Sequence, residues 1–294
     1  MEESLSISII RYASSNEDCY SVLSEPHAHK ISDTPSFGNK LIESTRNIND
    51  PDIKKKSWEE ALNQIREKIG DFEYLEDLSY VIEVPTSNGQ YTGQIESNKR
   101  CGLGILNFSE SKSAYYGNWK NDLPNGIGYL YYAKNHYYLG NFVNGKFNGS
   151  GKYQNDSYIY EGHWKKDKQQ GKGKEINIHG EVYKGMFFKG KKNGNGNLIF
   201  DKGKISGYFV DGKIVHGIFK SKDEEIRYKG FWKNGMWHGK GKLSSSLKND
   251  QISKMKGRFK KGVFSSGEIT LRNNIVITAR TLCYDGNYIL QVEN

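Results

Sequence analysis

A tandem repeat with a period of about 23 residues constrains this 294-residue chain more than any other feature of its sequence. Each copy starts with a large side chain, usually tyrosine, followed by a glycine two residues later and an aromatic residue four residues later. A repeat this short is one supersecondary unit, which buries its apolar side chains only against its neighbours. The first positions are Tyr91, Tyr115, Tyr138, Tyr160, Tyr183, Ile205, Tyr228 and Met255, and a ninth copy starts at Tyr284.

The pattern within one copy predicts a β-hairpin. The first residue, the glycine and the aromatic residue occupy alternate positions, so they share one face of a strand. The glycine leaves a gap on that face, which we expect a ring from the neighbouring copy to fill. A turn residue of a type that tolerates positive φ follows seven positions after the start. These turn residues are Asn98, Asp122, Gly145, Asp167, Gly190, Gly212, Gly235 and Gly262.

The second strand of each predicted hairpin begins with two glycines at alternate positions, as in Gly239 and Gly241. The residue between them, here Lys240, is predicted to point to the opposite, solvated face. Copies six and eight depart from this pattern. Each has one extra residue before its glycine, Gly217 or Gly267, and we expect a bulge and a bend there.

The composition agrees with a β architecture. Hydrophobic residues make up 35% of the chain, 13% is aromatic, and the mean hydropathy is −0.77, which favours a thin, aromatic-rich sheet over a two-layer α/β enzyme. We expect no membrane span, because no apolar stretch is long enough, and no signal peptide, because the N-terminus lacks a basic n-region and an apolar h-region. The cysteines Cys19, Cys101 and Cys283 form no disulfide framework, so we expect a reducing, cytoplasmic environment.

The repeats resemble the MORN repeat (membrane occupation and recognition nexus). Tyr228 to Gly241 reads Tyr-Lys-Gly-Phe-Trp-Lys-Asn-Gly-Met-Trp-His-Gly-Lys-Gly and matches that repeat at each diagnostic position, and the resemblance covers about residues 91–290. It implies a mainly β fold, an elongated single-layer antiparallel sheet of tandem β-hairpins, with eight repeats and a partial ninth in residues 91–294. It also implies a scaffold, because MORN chains of this kind occur in ciliary axonemes, including radial spoke heads.

The first 90 residues form an acidic arm. They hold 9 Lys and Arg against 17 Asp and Glu, whereas residues 91–294 hold 34 against 17. We predict residues 1–50 to be mostly irregular. Residues 51–90 are predicted to hold a helix from Ser57, as N-cap, to Ile69, then a lead-in strand, which together cap the first hairpin. The alternative is that this helix docks on another protein.

The sequence lacks the motifs of an enzyme. There is no phosphate-binding loop, and the paired glycines open strands rather than helices. His216 and His238 fill a repeat position that other polar residues hold in other copies, which indicates a structural role. His27 and His29 have no third ligand nearby. We therefore predict no catalytic residue, no metal site and no cofactor.

The predicted binding surface is a trough lined by aromatic and basic residues of the repeats. A single turn lysine serves solubility, but the basic body as a whole attracts acidic partners. The predicted residues are Trp119, Phe142, Trp164, Phe187, Trp232, Trp237, Lys165, Lys166, Lys191 and Lys192.

Three classes of partner fit such a trough. The first is an acidic segment of another protein, tubulin tails included, in a cytoskeletal complex of the cytoplasm or the cilium axoneme. The alternative is an anionic phospholipid or phosphoinositide membrane, although no basic amphipathic helix or lipidation motif supplies a second anchor. Single-stranded nucleic acid ranks last, because the rings are better explained as the sheet's own core. An open sheet also permits end-to-end or edge-paired self-association.

Overall fold

The computed structural model describes residues 51–72, 77–248, 251–284 and 287–293. They belong to two compact units, one ending at Ile178 and the other starting at His179. The prediction for residues 1–50 lies outside the described residues. The motif of the ninth copy, which starts at Tyr284, lies only partly within the described residues. One strand ends at Tyr284 and the next begins at Asn287, so this motif spans two strands, whereas each other copy has its motif within one strand.

The described part of the N-terminal unit consists of a helix and nine strands. Each strand is antiparallel to the next one along the chain. The elements are α1 (Pro51–Ile69), β1 (Ser79–Thr86), β2 (Gly89–Glu96), β3 (Lys99–Phe108), β4 (Ala114–Lys120), β5 (Leu123–Ala133), β6 (His136–Val143), β7 (Lys146–Gln154), β8 (Tyr158–Lys165) and β9 (Lys168–Asn177).

The described part of the C-terminal unit consists of ten strands, again paired antiparallel in chain order. They are β10 (Val182–Phe188), β11 (Lys191–Phe200), β12 (Gly203–Val210), β13 (Lys213–Ser221), β14 (Ile226–Lys233), β15 (Met236–Ser245), β16 (Ile252–Lys260), β17 (Val263–Leu271), β18 (Val276–Tyr284) and β19 (Asn287–Glu293). The predicted fold class is confirmed, because both units are open antiparallel sheets of consecutive hairpins and a short helix precedes the first.

Helix α1 begins six residues before the predicted start, at Pro51 rather than Ser57. Proline suits the first helical position, because its φ is already helical and the N–H that it lacks would have no acceptor there. Ser57 therefore lies inside the helix and does not cap it. Trp58 and Ile65 of α1 are buried together with Leu103 of β3. The helix thus covers one face of the first strands rather than the edge of the sheet.

The hairpin turns have left-handed backbone at both central residues. In the third copy, Asn144 and Gly145 have φ values of 50° and 74°. This is a type I′ turn, which joins strands without opposing their right-handed twist. All eight turn residues named from the sequence stand at the second central position, with φ between 60° and 86°.

A tyrosine ring fills the space above a pair of facing glycines in six of the copies. Tyr138 lies over Gly140 and Gly151, which face each other across β6 and β7. Its hydroxyl donates a hydrogen bond to the carbonyl oxygen of Asn141 at 3.0 Å, and burial raises the pKa of this phenol, so it remains a donor. The prediction that a neighbouring copy supplies the ring is wrong, because the side chain two positions earlier on the same strand already reaches over both glycines.

These tyrosines link neighbouring copies into one aromatic core. Tyr115 meets Trp119 of its own copy edge-on at 5.0 Å between ring centroids, and meets Phe142 of the next copy edge-on at 5.2 Å. Edge-to-face geometry is the favoured arrangement for such rings. Each hairpin therefore contributes core to the next, as expected of a repeat that cannot fold alone.

In copies six and eight the segment between the two facing glycines is one residue shorter than in the other copies, not longer as predicted. The facing glycines of a regular copy, such as Gly230 and Gly241, are eleven residues apart, whereas Gly207 and Gly217 are ten apart. A register shift between the two strands of the hairpin occurs near the facing glycines in regular copies and in copies six and eight alike, so a bulge does not distinguish them. In copy six Ile214 fills the space above the glycines in place of a tyrosine.

Candidate functional site

One face of the C-terminal sheet carries the core, and the other carries basic residues. Strand β14 shows the division, because Tyr228 and Trp232 are buried while Lys229 and Phe231 are exposed. Alternate residues of a strand point to opposite faces, so each strand separates its side chains in this way.

Cross-strand pairing continues the exposed face from β10 to β17 in three rows of paired residues. We define the basic face by the Lys and Arg residues of these rows. They are Lys184, Lys204, Lys220, Arg227, Lys229, Lys240, Lys242, Lys254, Lys256 and Arg258. Within these described strands, Glu268 is the one carboxylate on the same side. The rows therefore carry a strong excess of positive charge.

The cations of the basic face stand on adjacent strands. Lys229 pairs across the sheet with Lys242, and Lys242 pairs with Lys256. Neighbouring strands lie about 4.8 Å apart, so these lysines leave the sheet as a closely spaced line. Like charges at this spacing raise the local positive potential, which attracts a polyanion.

Three of the ten cations already have a carboxylate partner. Lys256 is 3.2 Å from Glu268, and Lys204 and Lys220 both lie within 3.6 Å of Glu224 in the turn beyond them. These pairs are solvent-exposed, so each contributes little stability. The other seven form no ion pair within the described residues and are available to a ligand.

A strip of exposed rings runs across the basic face. Tyr208 of β12, His216 of β13 and Phe231 of β14 are paired in register on consecutive strands. Tyr208 is 47% exposed and Phe231 is 49% exposed. The His216 ring meets Phe231 edge-on at 5.0 Å. We call these three residues the aromatic strip, and it supplies apolar contact surface beside the cations.

The aromatic residues named from the sequence lie in the core instead. Their exposure is between 1% and 8%, so no partner can reach their faces in this structure. They are Trp119, Phe142, Trp164, Phe187, Trp232 and Trp237. The reason is that the i, i+2, i+4 positions of each copy all point to the glycine side, where the rings pack on each other, and Trp237 pairs with Trp232 from the facing strand.

The four lysines named from the sequence differ in their surroundings. Lys165 is the last residue of β8 and Lys166 lies in the turn after it, and both side chains are exposed. Lys191 lies 3.3 Å from Asp211, and the Lys192 ammonium lies over the Tyr183 ring at 5.2 Å. Neither pair belongs to the basic face. The sequence signal that finds the basic face is the period-two alternation of charge within strands such as β14.

A buried ion pair in the N-terminal unit has no sequence signal of its own. The Arg100 side chain is 1% exposed and its Nε lies 3.3 Å from a carboxylate oxygen of Asp122. Its guanidinium lies over the Trp119 ring at 4.4 Å. Burial lowers the pKa of Arg100, and the nearby Asp122 opposes that shift. This pair joins two successive turns and is structural.

An open cleft of about 480 Å³ lies beside the fourth copy. His163, Lys165, Gln170 and Lys172 are among its lining residues, and no carboxylate is.

The described residues contain no group of three or more His, Cys, Asp or Glu arranged to hold a metal ion. Cys101 and Cys283 carry free thiols. No helix among the described residues has the length and apolar character needed to cross a membrane.

Comparison with protein families identifies the repeat. The MORN repeat model matches residues 91–110, 115–137, 138–157, 160–176, 183–205 and 228–246. These are the six copies in which a tyrosine lies over the paired glycines, and the two copies with Ile205 or Met255 in its place are not matched. No curated protein matches the sequence. Six copies of the repeat thus match the MORN repeat, which is a module for interaction with proteins or lipids.

Proposed function

We propose that this chain is a non-enzymatic scaffold that holds an acidic segment of a partner protein on its basic face. The observation that carries the proposal is the set of seven cations beside the aromatic strip that form no ion pair with any residue in the described part of the chain. Positive potential speeds the encounter with a negatively charged segment, and apolar contact with exposed rings slows its release.

The finer proposal is that the partner belongs to a cytoskeletal assembly, such as the ciliary axoneme with its radial spoke heads. Its support is the resemblance to MORN-repeat scaffold proteins of axonemes, together with the basic face, which suits acidic tails such as those of tubulin. Fractionation of the tagged chain from its native cells tests the location. Retention in the cytoskeletal pellet after detergent, with release by high salt, supports it. Release by detergent alone contradicts it.

Binding of a fluorescent polyglutamate peptide to the full chain tests the chemistry of the basic face. The triple variant Lys229→Glu, Lys242→Glu, Arg258→Glu should lose at least about tenfold in affinity, because three nearby attractions become repulsions. The matched control is Lys165→Glu, Lys166→Glu, Lys168→Glu, which makes the same change in net charge on exposed residues of the N-terminal unit. Equal losses of affinity in the two variants would show that peptide binding depends only on the net charge of the chain, and would overturn the proposed site.

A peripheral membrane role is the second candidate. The exposed rings of Tyr208 and Phe231 beside cations are the observation that favours it, since such a surface also suits anionic headgroups. Co-sedimentation with vesicles of phosphatidylcholine and phosphatidylserine tests this candidate. Binding to vesicles that the basic-face variant loses, without binding to polyglutamate, would replace the protein partner with a membrane.

A further inference from the structure

The chain carries an acidic segment of its own that complements the basic face. Residues 1–28 contain one Lys or Arg residue, Arg11, and an excess of carboxylates. These carboxylates are Glu2, Glu3, Glu17, Asp18 and Glu25. The basic face has the opposite imbalance, with ten cations and Glu268. Opposite charges of this size within one chain attract each other before any external partner is present.

The same segment carries apolar side chains in a pattern that fits the aromatic strip. Leu5, Ile7 and Ile9 alternate with serines. Such alternation is typical of an extended segment with one apolar side. Tyr208 and Phe231 offer exposed rings for that side to contact. The segment therefore matches both components of the surface, its charge and its rings.

We infer that residues 1–28 dock on the basic face of their own chain and compete there with the external acidic partner. This inference rests on the proposed function, since it assigns a second occupant to the same surface. The 22 residues from 29 to 50 connect the segment to α1 and span up to roughly 75 Å when extended. A flexible tether whose length matches the distance it must span gives an effective concentration near the millimolar range, at which even a weak contact is populated.

Competition of this kind lowers the apparent affinity for an external ligand. The affinity falls in proportion to the fraction of chains whose basic face is vacant. If the segment is docked about nine-tenths of the time, the external affinity falls about tenfold. Any change that reduces the negative charge of residues 1–28 would then free the basic face for an external ligand. The segment thus sets how readily the scaffold accepts its partner.

The first test compares polyglutamate binding by two charge-reversed full-length chains. One variant carries Glu2→Lys, Glu3→Lys, Glu17→Lys and Asp18→Lys. Its matched control carries the same reversal at exposed sites outside the segment, Glu59→Lys, Glu60→Lys, Glu67→Lys and Glu110→Lys. We expect about tenfold tighter binding by the first variant and at most about twofold by the control. Equal gains in both, or no gain in the first, would overturn the inference.

The second test uses a synthetic peptide of residues 1–28 as the ligand, under reducing conditions. It should bind the segment-reversed full-length chain, and adding Lys229→Glu, Lys242→Glu and Arg258→Glu to that chain should abolish binding. Absence of peptide binding would overturn the inference even if polyglutamate binds. Peptide binding without any polyglutamate binding would instead contradict the proposed function and the competition, and would support only the docking of residues 1–28 on the basic face.

Dependence on protein concentration separates docking within one chain from exchange between copies. Docking within the chain predicts the same gain from segment reversal at every protein concentration. A gain that grows with protein concentration would mean that the segment docks on a second copy, and would contradict the inference as stated.

Discussion

The ring of Tyr138 occupies the space in which a side chain on Gly151 would stand. A Cβ atom built on Gly151 would lie 2.6 Å from Cε2 of that ring, closer than non-bonded carbons approach. The two residues stand on neighbouring strands, β6 and β7, and belong to one repeat. The glycine is therefore required by the tyrosine, and the same pairing recurs in the other five copies that the MORN model matches.

Gly151→Ala should destabilise the chain more than Gly190→Ala. The first substitution places a methyl group against a buried ring and should cost about 3 kcal/mol. The second should cost only about 1 kcal/mol, because Gly190 has positive φ but nothing within 4 Å of its Cβ position. Chemical denaturation followed by fluorescence measures both.

A double-mutant cycle provides the control for this prediction. In a Tyr138→Leu background the space above Gly151 is larger, so Gly151→Ala should cost much less than in the wild-type chain. An equal cost in both backgrounds would contradict the tyrosine–glycine relationship.

Trp232→Phe should cost about 1 kcal/mol less than Trp164→Phe. The Trp164 indole donates a hydrogen bond to the carbonyl oxygen of Gly151 in the preceding copy at 3.1 Å. The Trp232 indole is buried without an acceptor among the described residues, because the preceding copy is the shortened sixth. Thermal unfolding of the two variants tests this difference, and a larger loss for Trp232→Phe would contradict it.

The fold was predictable because each copy repeats the same pattern of strand and turn residues. The i, i+2, i+4 pattern gave the strands, and Asn-Gly or Asp-Gly dipeptides such as Asn144-Gly145 gave the turns. The shortened hairpins of copies six and eight were not predictable, because sequence alone does not show which of two glycines faces its partner. Gly217 faces Gly207, so the segment between the facing glycines is one residue shorter than in a regular copy.

The candidate site was less predictable, because residue type does not reveal which face of a strand a ring occupies. Aromatic residues such as Trp164 are of the type expected in a binding trough, but their side chains lie in the core. Tyr208 and Phe231 stand one position earlier than the core aromatic residue of their copies, so their exposure followed from the period of two. The alternation of charge along each strand was visible in the sequence. Which charged residues stand beside each other on neighbouring strands depends on the strand register, which the sequence does not show.

Asp122→Ala should destabilise the chain by roughly 3 kcal/mol, because it leaves the Arg100 guanidinium buried without its carboxylate. Arg100→Phe should be tolerated within about 1 kcal/mol. The chain supplies the precedent, since Phe147 holds the equivalent position in the third copy and its N–H donates to Asp167 at 2.8 Å. Denaturant unfolding of the two variants provides the comparison, and equal losses would contradict this role of the pair.

His136 should make the stability of the chain fall with acidification. Burial lowers the pKa of His136, where the ring stacks on Tyr132 and lies 2.8 Å from the Tyr153 hydroxyl. A base with a depressed folded-state pKa favours the folded state above its unfolded pKa, and that stability is lost as pH falls through the folded pKa. The wild-type chain should therefore lose more stability than His136→Phe between about pH 7 and pH 5. Parallel pH profiles of the two proteins would contradict this.

Lysine footprinting tests the central claim most directly, because it reports where an acidic ligand sits on the full chain. The chain is acetylated with and without polyglutamate, and the modified lysines are quantified by mass spectrometry. The account predicts protection of Lys229, Lys242 and Lys254 on the basic face, with Lys165, Lys166 and Lys168 acetylated equally in both samples. Protection of the second set, or equal protection of both sets, would contradict the claim that the basic face is the binding surface.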